Sequence, residues 1–266
     1  MGDATGRAAV DPAGPGARTW PGTRGWLAAA ALALAVACLI PPVSSLAGRY
    51  VLAETVQFAC FAMVIPGLLV LGSPWRLLGP AGGRASRLAR ARERHPSFMR
   101  SAGFLAAFAA LAVAWRLPPV IDAVARHPGL ALAELASLLI TGVALWLELV
   151  PSPPLRPRGR SGLHLAVIAA LAMWLIWIIA YILGMATHGV FHAYRYHPGG
   201  PLSAVADQEL ATAVLWVTAA ACFMPVIFTA AHHWLHDGDN VEAEMERVTG
   251  TAALPAVKGW GPRRAG

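Results

Sequence analysis

Long apolar runs recur along the 266-residue chain at 26–46, 51–72, 101–117, 130–150, 163–186 and 209–235. Each is close to the ~17–25 residues that an α-helix needs to cross a hydrocarbon core. Backbone amides in lipid must be satisfied within the segment, so runs of this length and number dictate a helical membrane bundle. The expected fold is therefore all-α: a polytopic integral membrane bundle of six transmembrane helices. With 57% hydrophobic and only 13% charged residues, a soluble globular domain of this size is excluded.

The arginines orient the bundle. Of 21 basic residues, 17 fall before the first run, between the second and third, between the fourth and fifth, and after the last. Arg49, Arg116, Arg126 and Arg195 fall on the other side. The positive-inside rule then places both termini in the cytoplasm. A net charge of +7 thus reports topology and contact with the lipid bilayer, and no nucleic acid partner is expected. A rival reading takes the first run as a cleaved signal peptide, since Arg18 and Arg24 precede it and Ser44, Ser45 and Ala47 follow; five spans would then remain.

Outside the bundle domain of residues 25–240, residues 1–24 are rich in Gly, Ala, Pro and Arg and read as a disordered cytoplasmic tail, with a second cytoplasmic tail over 241–266. The segment between the second and third runs is basic, and its SRLARARER stretch suits either a topology-setting loop or a short interfacial helix. Cys38, Cys60 and Cys222 lie within predicted spans without paired spacing, which favours apolar filling over a disulfide framework.

Polar residues within an apolar chain carry the functional information, because hydrocarbon cannot solvate them. Glu54 and Gln57 stand one turn apart at the head of ETVQFACFAMVIPGLLVLGSP. Glu134 begins the fourth run, and Asp207 and Gln208 precede the last. All five fall at the outward ends of their helices and are expected to form a polar pocket there. Arg116 can pair with Glu54 or Glu134 as a clamp, while Asp207 and Gln208 also suit an N-terminal cap. In THGVFHAYRYHPGG, His188 and His192 share a face if the fifth helix continues this far, which is metal-ligand spacing; an interfacial aromatic and histidine belt fits the same residues. His232 and His236, at the other end of the last run, offer a further pair beside a helix stop at Gly238. No GxSxG, HExxH, P-loop or dinucleotide fingerprint is present, and no enzymatic activity is expected.

Read in order, ETVQFACFAMVIPGLLVLGSPWRLL, AWRLPPVIDAVARHPGLALAELASLLITGVALW and PLSAVADQELATAVLW resemble the CtaG family of bacterial cytochrome c oxidase assembly factors. The resemblance covers roughly residues 25–240. It implies a multi-pass protein of the bacterial inner (plasma) membrane, a cytochrome c oxidase subunit as partner, and copper as the metal handled. The departures are specific. Glu54 and Phe58 stand where the family shows a histidine pair around Gln57, Arg116 stands in place of the histidine of Trp-His-Leu-Pro, and Ala131 and Leu135 replace histidines around Glu134. Copper handling by the family's usual residues is thus not expected, and His188 with His192 become the candidate ligands. Two other roles fit the same residues: a structural or interaction subunit without metal, and a small transporter gated by Glu54, Arg116 and Glu134.

Overall fold

The computed structural model describes residues 25–75, 98–152, 161–186, 188–194 and 202–236. Both tails, the basic segment 76–97 and the loop arginines of 153–160 lie outside the described residues, as does Arg195. Every regular element among the described residues is helical: α1 (Gly25–Leu39), α2 (Val43–Ala47), α3 (Val51–Gly72), α4 (Phe98–Trp115), α5 (Pro118–Arg126), α6 (Pro128–Leu149), α7 (Gly162–Gly184) and α8 (Ala204–His236), with a 3₁₀ turn over His192–Tyr194. The protein is a polytopic helical membrane protein, as its hydropathy requires.

Five of these helices, α3, α4, α6, α7 and α8, are long and apolar enough to cross a membrane. The expected sixth is α1, and it falls short. Its 15 described residues span about 22 Å at ~1.5 Å per residue, against a hydrocarbon core of about 30 Å. Pro41 and Pro42 end it, since a proline disfavours helical geometry in the residue before it and supplies no amide. The run that looked like one span to residue 46 is thus α1 followed by the short α2. A second difference lies between the third and fourth apolar runs, where no helix was expected. Pro118 occupies the first turn of α5, where a missing amide costs nothing, and Ile121, Asp122 and Val124 turn inward.

Helix α3 runs through the core and carries the bundle's main irregularity. Pro66 cannot donate to the carbonyl one turn back, and the helix widens into a π turn over Cys60–Val64, with the Ile65 amide bonded to the Cys60 carbonyl. Small residues let neighbours approach α3 closely, as is usual where lipid provides no hydrophobic drive between helices. A methyl on Gly142 of α6 would lie 2.5 Å from the Ala62 carbonyl, and one on Gly72 would lie 2.6 Å from the Ala28 amide nitrogen of α1. At Gly67 the indole of Trp146 takes the space a side chain would fill, and that ring stacks on Phe223 of α8 at 5.6 Å. Packing of α8 along α7 and against the first half of α3 completes the bundle. The three cysteines are free, with Cys38 in the core and the other two half-buried.

Candidate functional site

At the end of the bundle where α4 stops, Arg116 follows the last residue of the helix and turns its side chain inward; it is only 4% exposed. An uncompensated guanidinium there would cost several kcal/mol. Its Nη2 donates to Glu54 Oε1 at 2.7 Å and its Nη1 to Glu54 Oε2 at 2.8 Å, a two-pronged pair that uses both carboxylate oxygens. Nη1 also reaches the Thr55 hydroxyl at 3.1 Å. The guanidinium carbon sits 3.9 Å from the centre of the Phe58 ring, so the cation is held by an aromatic face as well as by its counter-ion. The clamp expected from sequence is thus formed with Glu54.

Glu134, 3% exposed on the first turns of α6, is the second acid of the group. Its Oε1 lies 3.8 Å from Arg116 Nη2, within ion-pair range and beyond hydrogen-bond range, and has no hydrogen-bond partner. Two carboxylates therefore share one guanidinium, and only one is bonded to it. Beside them lies a cavity of about 360 Å³ lined by Glu54, Gln57, Glu134 and Tyr194, with Leu39, Ala131, Leu132 and Leu135 among its apolar walls. Gln57 donates its side-chain amide to the Cys38 carbonyl, which ties α3 to α1 below the cavity. Tyr194 donates its hydroxyl to the Ala47 carbonyl at 3.2 Å. Burial, then the nearby Glu54 carboxylate, pushes the Tyr194 phenol above its ordinary range, so it stays protonated and keeps that bond.

The remaining predicted residues build the frame around this cavity. Asp207, in the first turn of α8, accepts from the Val51 amide at 2.7 Å and the Leu52 amide at 3.0 Å. It therefore caps α3 from a different helix, satisfying amides that have no partner of their own. Gln208 accepts from the Val190 amide at 2.9 Å and donates to the Leu183 carbonyl at 2.8 Å, joining α8 to the end of α7 and the segment after it. Asp122 of α5 accepts from the Ala193 amide at 2.8 Å and so holds the turn that carries Tyr194. Of the five pocket residues expected from sequence, Glu54, Gln57 and Glu134 line the cavity, and Asp207 and Gln208 hold its surroundings.

His188 and His192 do not share a helix face, because α7 ends at Gly184 and Met185–Ala186 leave the helix. Both are exposed, His188 in the connection and His192 in the 3₁₀ turn. Among the described residues no group of three or more His, Cys, Asp or Glu side chains is arranged to hold a metal. His232 and His233 meet edge to face at 6.2 Å near the far end of α8.

Two features escaped sequence reasoning. One is Tyr194, placed in the cavity by the long-range bond from the Ala193 amide to Asp122, which no local pattern announces. The other is a second buried acid, Glu148, at the opposite end of α6, where Arg100 Nε reaches Oε1 at 3.2 Å and the Ser101 hydroxyl reaches Oε2 at 2.9 Å. An acid within an apolar run was the available signal, since such residues are functional or paired.

Comparison with known proteins adds one finding. The family model described as cytochrome c oxidase caa3 assembly factor (Caa3_CtaG) matches residues 4–237. No curated protein and no solved structure shows significant similarity to the chain.

Proposed function

The chain belongs to the cytochrome c oxidase caa3 assembly factor family, and on that premise we propose that it assists oxidase assembly without carrying copper in its outward pocket. In this reading it resides in the bacterial plasma membrane, engages an oxidase subunit and performs no turnover chemistry. One observation carries it: Arg116 is locked on Glu54 and stacked on Phe58. These are three positions at which the family resemblance leads one to expect imidazoles. The other two, Ala131 and Leu135, line the same cavity.

Copper as cargo does not fit this donor set. Cu(I) favours thiolate, thioether and imidazole, whereas the cavity offers carboxylate, amide and phenol oxygens beside a fixed positive charge. Removing the gene from its native host is expected to lower the haem absorbance and activity of the assembled oxidase, and excess copper in the medium is expected not to restore them. Restoration by copper would show that the protein's task is copper supply. An unchanged oxidase would remove the assembly role itself.

A second reading keeps copper as cargo and assigns it to His188 and His192. It is favoured by their exposure on the segment whose Tyr194 lines the cavity. Competition for Cu(I) against a chromogenic chelator decides it: binding that disappears in the His188→Ala/His192→Ala double variant supports this assignment, and binding that survives in it does not.

A further inference from the structure

The cavity presents oxygen acceptors that no group of the fold satisfies. Glu134 Oε1 has no partner. One N–H of the Gln57 amide is committed to the Cys38 carbonyl, and its side-chain oxygen is left as an acceptor. Tyr194 spends its proton on the Ala47 carbonyl, which leaves the lone pairs of its oxygen. Charge points the same way. Glu54 takes both prongs of Arg116, so Glu134 has no cation hydrogen-bonded to it, and a cation entering the cavity meets an acid that is not already paired. A buried oxygen without a partner is costly, more so when charged, and a donor entering the cavity relieves that cost.

We propose that this cavity binds a primary ammonium group on an aliphatic stem. An ammonium carries three donors and no acceptor, matching the oxygens of Glu134, Gln57 and Tyr194 in number and sign. The stem lies along Leu39, Leu132 and Leu135, which give the cavity its apolar wall. Such a group can come from an aminophospholipid headgroup or from a free alkylamine, and the recognition chemistry is the same. The inference concerns the ligand of the pocket and is independent of the assembly role, which is read in cells.

The test is calorimetric titration of hexylammonium into the full-length protein held in phosphatidylcholine nanodiscs, whose lipid has no primary amine. Saturable binding is expected, weakened at least about tenfold in Glu134→Gln through loss of one charged hydrogen bond. Tyr194→Phe should weaken it by a smaller factor, and serves as the deciding variant should Glu134→Gln fail to fold. Replacing part of the lipid with phosphatidylethanolamine separates the sources: loss of hexylammonium binding identifies the headgroup as occupant, and unchanged binding identifies a free amine. The proposal is overturned if wild type does not bind saturably, if both variants bind as wild type does, if 1-hexanol binds equally well, or if sodium or potassium displaces hexylammonium at equal concentration.

Discussion

The two ends of α4 and α6 hold the same ingredients in different proportions. At one end Arg100 and Ser101 meet Glu148, so that one carboxylate has a cation on one oxygen and a hydroxyl on the other. At the opposite end Arg116 meets Glu54 and approaches Glu134, so that two carboxylates divide one cation and an oxygen is left over beside a cavity. Glu148 is wholly buried. A carboxylate with both oxygens engaged holds helices in register; one with an oxygen left over has a cost that folding alone does not justify. The contrast separates a structural acid from one available to a ligand, although both look alike in sequence.

Substitution should separate the two ends in graded steps. Arg116→Leu strands Glu54 and Glu134 together in the core and is expected to cost about 3–5 kcal/mol, enough to remove monodisperse protein from detergent extracts. A variant that accumulates and melts like wild type would mean that Glu54 and Glu134 do not depend on the cation. Next in size is Asp207→Ala, which takes the acceptor from the Val51 and Leu52 amides at the head of α3. A loss of about 2–3 kcal/mol is expected, visible as a lowered melting temperature and as faster amide hydrogen exchange at those two residues. Glu148→Gln keeps the shape of the structural end and removes its charge. Because Arg100 is 22% exposed on its side chain, solvent screens part of the loss, and about 1–2 kcal/mol is expected in thermal or denaturant unfolding.

Much of this frame was legible in the chain. Run length gave four of the five long helices within a few residues and placed the start of the fifth only five residues late, because burial in lipid requires unbroken apolar sequence and little else does. It overran at α1, where the apolar pattern crosses Pro41 and Pro42 although the helix cannot, and it missed α5, whose nine residues are too few to register as a run. The clamp between Arg116 and Glu54 was readable because an intramembrane acid demands a partner and few cations are available. Asp207 was readable as a cap but not as the cap of α3, since nothing local distinguishes the helix it begins from one 156 residues away. The shared face of His188 and His192 rested on extending α7 past Gly184, and glycine at that point is a common helix terminator.

The smallest expected effect bears hardest on the contrast between the two ends. Glu134→Gln removes the acid while leaving Arg116 on Glu54, and Oε1 of the carboxyl it replaces makes no hydrogen bond in the fold. Were Glu134 structural in the way Glu148 is, the change would cost at least as much as Glu148→Gln. Since its Oε1 lies 3.8 Å from the nearest guanidinium nitrogen and like charge from Glu54 opposes it, the expected change is within about 1 kcal/mol of wild type, with stabilisation as allowable as loss. Unfolding of the two glutamine variants side by side, in amine-free detergent, reads the difference directly. Equal destabilisation would make Glu134 a second structural acid, and a near-neutral Glu134→Gln beside a weakened Glu148→Gln places Glu134 outside the forces that hold the bundle together.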